Sequence, residues 1–194
     1  MAIAITSNAE NEQRQNILSA TWKFIQQLEE SPSDFTQDRS ILNKYLANLH
    51  IPYLPHDNSI NTEIFQYKFK LADNPLSITT ITFSQINTEC ICINMMLKSH
   101  EYKILARLND WQANTTNPKN DDFDSCSTTF YENPYANYGW QNQKLYLKLV
   151  YNQGIFVDTL IFSYYNKQLY IHYQPTPNFV VRTPALDLIA NAQE

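Results

Sequence analysis

The sequence predicts an α+β fold in which two N-terminal helices precede a mainly antiparallel, aromatic-rich β-sheet. Apolar residues recur at helical spacing before position 50, whereas apolar and polar residues alternate in several segments from position 62 onwards. Aromatic side chains make up 13% of the 194 residues. A further helix is expected after the third strand, and a short one at the C-terminus. Because no segment marks a boundary, we expect a single domain over residues 1–194.

The first helix is predicted to begin at Ser7, because Ser7 and Glu10 form the pattern of a capping box. It is expected to end at Ser31, since the residue before a proline avoids the helical conformation. Its apolar face comprises Ile17, Leu18, Thr21, Trp22, Phe24, Ile25 and Leu28. A second helix is predicted from about Thr36 to Leu49. Its apolar stripe comprises Ile41, Leu42, Tyr45, Leu46 and Leu49.

Three strands are predicted next, over Thr62–Leu71, Leu76–Phe83 and Thr88–Lys98. The alternation in the first is typical of a strand with one face in water. The third is apolar on both faces, so we interpret it as a central strand.

A third helix is predicted from Ser99 to about Ala113, with Ser99 as its cap. Apolar residues recur at helical spacing on one face, at Ile104, Leu105, Leu108 and Trp111. We expect this face to pack on the first three strands. The polar, acidic segment Asn114–Ser125 shows no period and is predicted to be a loop.

The last third of the chain is predicted to be mostly strands. Thr128–Tyr131 is a candidate short strand, and the aromatic segment Asn133–Gln141 is predicted to be a loop. A meander follows over Lys144–Tyr151, Ile155–Tyr164 and Leu169–Tyr173. Phe179–Val181 is a further candidate strand. A short final helix is predicted to start at Thr183, because proline at the next position suits the first turn of a helix.

Composition excludes several classes of protein. The chain has only two glycines, Gly139 and Gly154, which cannot build a dinucleotide fingerprint, a P-loop or a nucleophile elbow. The net charge of −5 argues against sequence-independent nucleic-acid binding. We find neither a secretion signal nor an apolar run that could span a membrane, and three cysteines suit a reducing compartment. The protein is therefore expected to be cytoplasmic.

Candidate catalytic and metal-binding residues are few. Cys90 and Cys92 could hold a soft metal, but further ligands are lacking, so we expect reduced, metal-free thiols. The acidic segment 120–125 lacks the glycine and glutamate of a calcium-binding EF-hand. His56-Asp57 and His100-Glu101 pair a base with a carboxylate, but no catalytic set can be assembled from them. No catalytic residue, metal or cofactor is assigned, and we expect a protein that is not an enzyme.

The segment Phe130–Trp140 is the richest in aromatic residues, as binding surfaces often are. Its candidate binding residues are Phe130, Tyr131, Tyr135, Tyr138 and Trp140. Alternatively, these rings cover the sheet. The order helices–three strands–helix–strands–helix resembles that of bacterial secretion chaperones. The first hypothesis is therefore an acidic, bacterial-type module of the chaperone, adaptor or toxin-immunity kind that binds another protein, with a homodimer as a further option.

The second hypothesis is a small-molecule-binding protein or enzyme. In this case a strongly curved sheet would enclose a pocket. Its expected lining residues are Tyr146, Phe162, Tyr164 and Tyr170. A closed cavity over the sheet would favour this hypothesis, whereas a flat sheet with an exposed aromatic rim would favour the first.

Overall fold

The computed structural model describes residues 11–30, 39–44, 51–97, 100–115, 133–151, 156–176 and 184–193. The chain forms two compact units, Met1–Pro52 and Tyr53–Glu194. The first unit contains α1 (Asn11–Glu30), and residues 39–44 are also helical. In α1, which lies within the first predicted helix, the Thr21 hydroxyl donates to the Ile17 carbonyl over 2.8 Å. The single domain predicted over residues 1–194 stays a prediction.

The second unit is a β-barrel, and a 3₁₀ helix at Thr62–Gln66 precedes its first strand. The strands are β1 (Lys68–Leu71), β2 (Ile78–Asn87), β3 (Cys90–Leu97), β4 (His100–Leu108), β5 (Gln112–Ala113), β6 (Pro134–Gln141), β7 (Lys144–Tyr151), β8 (Val157–Tyr165), β9 (Gln168–Thr176) and β10 (Leu186–Gln193). Two-residue turns at Asn142-Gln143 and Asn166-Lys167 have positive φ at both positions. This backbone matches the twist of the strands that each turn joins.

The barrel closes through two different seams. β1 pairs with β10 in antiparallel fashion, for example at Phe69↔Ala192. This pairing joins the first strand of the barrel to the last. β4 pairs with β6 in parallel at Arg107↔Asn137 and Leu108↔Tyr138. The short β5 pairs with the beginning of β6. Nine strands, β1–β4 and β6–β10, therefore form a continuous ring, and closure removes the free edges that an open sheet would have.

Alternate residues of each strand point into the barrel and form its core. In β7, for example, every second residue from Leu145 to Tyr151 is buried. The fully buried inward-facing side chains include Phe69, Ile81, Ile93, Met95, Tyr102, Ile104, Leu147, Leu160, Phe162, Leu169 and Tyr173. Burial of this apolar surface stabilises the barrel.

The predicted α+β fold is wrong, because the second unit is a closed barrel rather than a sheet with helices. The alternating pattern identified several strands, but it cannot show whether the first and last strands meet. The segment Thr62–Leu71, predicted as one strand, begins as the 3₁₀ helix and becomes a strand only at Lys68. Each of the other segments predicted to be a strand contains a strand, as far as the structure describes these segments.

The predicted helix Ser99–Ala113 is also wrong. Tyr102, Ile104 and Ala106 are buried at a period of two, and this segment forms β4, paired along its length with β3. The spacing of Ile104 and Leu108 fits a helix equally well, so local pattern could not decide. Pairing with β3 and with β6 determines the outcome.

Two further assignments are corrected at the end of the chain. The predicted loop Asn133–Gln141 contains β6, and the predicted C-terminal helix is β10, which lies between β9 and β1 and completes the ring. Proline before a strand is compatible with this structure, because it then removes no hydrogen bond from the ladder. The candidate strands Thr128–Tyr131 and Phe179–Val181 and most of the acidic loop lie outside the described residues.

Candidate functional site

Aromatic side chains fill one end of the barrel, below the 3₁₀ helix. Asn61 caps that helix by accepting a hydrogen bond from the Glu63 amide, and its side-chain nitrogen donates to the Tyr164 carbonyl over 3.3 Å. Ring pairs connect the helix with the strands: Phe65 with Trp140, Tyr67 with Tyr164, Phe69 with Phe83 and Phe83 with Phe162, with centroids 5.1 to 6.3 Å apart. This end is therefore closed by packed rings.

The segment from Tyr53 to Ser59 runs along β6 beyond the point where β4 leaves it. The Asn137 side chain accepts from the Leu54 amide over 2.7 Å, and the Asp57 amide donates to the Trp140 carbonyl over 2.7 Å. Gly139 lies against the Pro55 carbonyl, where a methyl group would overlap that oxygen. The segment thus supplies the hydrogen bonds that a neighbouring strand would otherwise supply.

A buried polar cluster lies at the opposite end of the barrel interior. Asp158 is an inward-facing residue of β8 and is 0% exposed. The Tyr151 hydroxyl donates to its Oδ2 over 2.9 Å, and the Tyr173 hydroxyl donates to its Oδ1 over 3.1 Å. The buried Asn, Gln, Asp, Glu, Lys, Arg and His side chains of the described residues are Asn114, Asn137 and Asp158, so Asp158 is the acidic one among them.

The environment of this cluster keeps Tyr151 protonated. Burial raises the pKa of Tyr151 well above its ordinary value, and the negative charge of Asp158 raises it further, with a contribution from Tyr102. Burial disfavours the phenolate because the charged form loses its hydration. Tyr151 therefore remains a hydrogen-bond donor to Asp158 throughout the physiological range of pH.

Within the described residues, part of β10 has a strand partner on one side only. β1 pairs only with Ala190–Gln193 of β10, and no strand of the described chain pairs with residues 186–189 on that side. Leu186 and Leu188 face inwards but are only half-buried, whereas Ile171 and Tyr173, their partners on β9, are buried. We call this stretch the β10 gap, defined by residues 186–189.

The β10 gap is adjacent to the polar cluster. Leu186 lies directly across from Tyr173, the residue whose hydroxyl contacts Asp158. Cross-strand partners in an antiparallel pair have Cβ atoms roughly 4.5–5.5 Å apart. An apolar chain that contacted Leu186 and Leu188 would therefore end close to the buried hydroxyl groups.

A groove with a volume of about 360 Å³ crosses the outer face of β7 to β10. Its lining residues include Lys144, Tyr146, Ile161, Ser163, Tyr170, His172, Asp187 and Ile189. Among these lining residues, His172 Nδ1 lies 2.7 Å from Asp187 Oδ1. Both side chains are exposed, so water weakens this ion pair.

The structure describes three of the five candidate binding residues of the aromatic segment, and these three do not share one face. Tyr138 and Trp140 face the interior and are 3% and 2% exposed, whereas Tyr135 faces outwards and is 39% exposed. Phe130 and Tyr131 lie outside the described residues. Whether any of the five binds a ligand stays a prediction.

The residues expected to line a pocket also divide between two faces. Phe162 and Tyr164 belong to the interior, while Tyr146 and Tyr170 line the outer groove. Asp158 is not among the residues that the sequence pattern indicated for a site. One signal could have revealed it: Asp158 occupies the same inward phase of the strand as Leu160 and Phe162, where a polar residue is unexpected.

The candidate catalytic and metal-binding residues have structural contacts. His56 Nδ1 accepts from the Trp140 amide over 3.2 Å, and hydrogen bonds from Ser59 and from the Asn142 amide lower the pKa of Asp57. Cys90 and Cys92 are buried free thiols, and burial raises the pKa of Cys90. The described part of the chain contains no group of three or more His, Cys, Asp or Glu that could hold a metal ion. Metal-free cysteines in the purified protein stay a prediction.

No family model and no curated protein matches the sequence. Three of the similar solved structures are apo lipid binding protein 8 of Caenorhabditis elegans, a fatty acid-binding protein from brain tissue of Drosophila melanogaster and fatty-acid-binding protein 1 of Echinococcus granulosus. Their sequence identities are 8%, 10% and 6%, and their TM-scores are 0.48, 0.47 and 0.46. They cover 69%, 66% and 68% of this chain and 99%, 99% and 98% of their own. In the described residues, no helix is long and apolar enough to cross a membrane.

The first functional hypothesis is wrong. The aromatic segment on which it depended is the barrel strand β6, in which Tyr138 and Trp140 are buried and offer no rim to a partner protein. The resemblance to secretion chaperones fails with the element order that suggested it.

Proposed function

We propose that the protein binds a small, mainly apolar molecule inside its β-barrel. The observation that carries this proposal is a buried polar cluster in a mainly apolar interior: the Asp158 carboxyl group, the hydroxyls of Tyr151 and Tyr173 that donate to it, and Tyr102 beside Tyr151. Small-molecule sites typically combine apolar walls with a few convergent polar groups, and they occur at the mouths of β-barrels.

Stability alone does not account for Asp158. Burying a charged group costs free energy, and apolar residues of similar volume often stabilise a core equally well or better. The inward positions that follow it on β8, Leu160 and Phe162, show that the interior accepts apolar side chains. A polar cluster at one end of the interior is instead what an amphipathic ligand needs for its orientation.

The barrel geometry supports a route for such a ligand. A barrel of eight strands is just wide enough to be filled by side chains or to hold one small ligand, and the diameter grows with the number of strands. The β10 gap exposes the inward-facing Leu186 and Leu188 to solvent. We propose that the apolar part of the ligand lies against these two leucines and that its polar end points towards Tyr173. Side chains of the interior move apart to admit it.

Ligand binding can be tested by calorimetry with a panel of apolar amphiphiles, supported by displacement of a fluorescent hydrophobic probe. We expect one-to-one binding by at least one amphiphile. Tyr173→Phe removes a hydroxyl at the polar cluster and should weaken binding by about tenfold, the effect of losing roughly 1.4 kcal/mol. Tyr170→Phe on the outer face of β9 is the matched control and should leave affinity unchanged. Absence of saturable binding to the wild-type protein would refute the proposed function.

We also propose that the protein acts in the cytoplasm, as the sequence predicts. The free thiols of Cys90 and Cys92 support this, because a reducing compartment preserves thiols. Fractionation of the native cells would test it, and recovery in the secreted fraction would contradict it.

A further inference from the structure

We propose that the segment Tyr53–Ser59, which we call the strap, is loosened from β6 by acid through protonation of His56. The first half of the strap opens in this way, while its second half stays attached. The inference goes beyond the proposed function and does not depend on it. The hydrogen bonds between the strap and β6 carry it.

Both backbone groups of Trp140 are bonded to the strap. Its carbonyl accepts from the Asp57 amide over 2.7 Å, and its amide donates to His56 Nδ1 over 3.2 Å. Opposed residues of two antiparallel strands exchange a similar pair of bonds, but then both acceptors are carbonyl oxygens. In the strap, an imidazole nitrogen takes the place of the second carbonyl. The strap therefore continues the sheet beside β6 through one bond that a change of pH can break.

The direction of that bond fixes the protonation state of His56. A backbone amide can only donate, so Nδ1 must carry a lone pair and the ring hydrogen must lie on Nε2. A protonated ring carries hydrogen on both nitrogens, and its Nδ1–H would then point at the Trp140 amide. Histidine is the side chain that ordinarily changes its charge between about pH 5 and pH 8. Because the bond needs the neutral ring, it is present at higher pH and is lost as the pH falls through this range.

Charged groups of both signs surround His56, which is half-buried. Asp57, its neighbour on the strap, interacts with it electrostatically, and the carboxylate attracts a protonated ring. Ionised Asp57 therefore favours protonation, in opposition to the hydrogen bond from Trp140. Among the described residues, the other charged side chains on elements next to the strap are Glu63 of the 3₁₀ helix, Lys144 of β7, and Arg107 and Asp110, which pair with each other over 3.0 Å.

The second half of the strap is held by groups that keep their charge at pH 5. Asp57 Oδ2 accepts from the Asn142 amide over 3.0 Å. Ser59 Oγ accepts from the Gln143 amide over the same distance. Hydrogen bonds from the Ser59 hydroxyl and from the Asn142 amide lower the pKa of Asp57 below its ordinary value of 3.8, so this carboxylate stays ionised. Mild acid therefore acts on the half of the strap that precedes Asp57.

Opening of that half would uncover β6 beside its seam with β4. The Pro55 carbonyl lies against Gly139, and Trp140 is only 2% exposed. The Trp140 amide would lose its acceptor when His56 is protonated, and a buried amide without a partner is unfavourable. The closed state thus loses stability relative to an open state in which water reaches this amide.

Hydrogen exchange of the whole protein, followed by NMR at pH 7.5 and pH 5, measures this opening. Comparison of each rate with the intrinsic rate at the same pH gives a protection factor. We expect the protection factor of the Trp140 amide to fall at least about tenfold at pH 5, corresponding to roughly 1.4 kcal/mol. Leu160, in the middle of β8 between β7 and β9, is the internal reference and should keep its protection. Equal protection of Trp140 at both pH values would overturn the inference, and so would a parallel loss at Leu160.

Two substitutions at His56 separate the acceptor from its titration. His56→Asn keeps an acceptor oxygen near the position of Nδ1 but does not titrate, so Trp140 should stay protected at both pH values. His56→Phe keeps a ring without an acceptor, so protection should be low at both. His172→Asn is the matched control, because His172 bonds with Asp187 on the outer face, and it should keep the wild-type response. A response to pH that persists in His56→Asn would contradict the role of His56.

The wild-type protein alone decides the question if a variant fails to fold. Protonation of the His56 ring and loss of the Trp140 bond are one event in this proposal. In an NMR titration, the ring signals of His56 and the amide signal of Trp140 should therefore change with a common midpoint. Different midpoints would show that the Trp140 amide responds to another group, and the inference would fail.

Discussion

Replacing Tyr151 with phenylalanine should destabilise the protein by an amount that the structure allows to be estimated. The ring stays, so packing changes little, but the hydroxyl that donates to Asp158 Oδ2 over 2.9 Å is lost. A hydrogen bond to a charged group contributes about 1.5–3 kcal/mol, and removing a donor leaves the carboxylate with one partner fewer. We expect a loss of about 2 kcal/mol in the free energy of unfolding at neutral pH.

The same variant should show a characteristic dependence on pH. The pKa of Tyr151 is raised in the folded state, chiefly by burial, above the ordinary value of 10.0. Its contribution is therefore fully present below pH 10 and is lost as the pH rises towards the higher folded-state pKa. In this range the unfolded chain binds fewer protons than the folded one. Wild-type stability should fall by up to about 1.4 kcal/mol per pH unit from this group, and Tyr151→Phe should lack that slope.

Urea melts of both proteins at pH 7, 10 and 11 would measure these two quantities. The difference in unfolding free energy between wild type and variant should be largest at pH 7 and should shrink above pH 10. Tyr170→Phe on the outer face is the control, since in the described structure its hydroxyl donates to Gln168 in a solvent-exposed contact. A loss below about 0.5 kcal/mol, within the range of ordinary surface substitutions, or a difference that does not change with pH would refute the reasoning.

Three further predictions test the wall of the barrel. Leu188→Trp should slow association and dissociation of a ligand by similar factors in stopped-flow measurements, with little change in affinity, whereas the outward Ile189→Trp should change neither rate. Ile104→Ala should cost about 2–5 kcal/mol in a denaturant melt, and Leu105→Ala, which is on the opposite face of β4, clearly less; equal losses would contradict the strand. Gly139→Ala should cost about 1–3 kcal/mol, because the new methyl group meets the Pro55 carbonyl; an unchanged melting temperature would contradict that contact.

The alternation of polar and apolar residues was sufficient to predict a strand where one face of that strand is in water and the other is buried. β7, β8 and β9 overlap the predicted meander, because their alternation is long and the turn between β8 and β9 carries Asn166, which accepts positive φ. The same pattern was insufficient for β4, where apolar residues fit both a period of two and a period near four. The aromatic content of β6 was interpreted as exposure, although inward Tyr138 and Trp140 fill the barrel.

The site escaped prediction for a related reason. Asp158, Tyr151 and Tyr173 are unremarkable one by one, and each was counted as part of an alternating strand. Their proximity depends on the registers Leu149↔Asp158 and Leu160↔Tyr173, which place three strands side by side. Such registers follow from the whole set of strand pairs, not from any single segment.

Closure of the barrel depends on contacts that no local pattern contains. At the seam between β4 and β6, Asn137 donates to the carbonyls of Arg107 and Asp110 over 2.9 and 3.0 Å and accepts from the Leu54 amide. One buried amide side chain thus joins three parts of the chain, the most distant of them 83 residues away. A buried amide without such partners would be unfavourable. An asparagine at a buried position of a mostly apolar strand therefore indicates that the backbone of another segment lies within hydrogen-bonding distance. Asp158 differs in this respect, because its hydrogen bonds come from Tyr151 on β7 and Tyr173 on β9, the two strands that pair with β8. The buried asparagine and the buried aspartate thus report two different things, the approach of a distant segment at Asn137 and a register of three adjacent strands at Asp158.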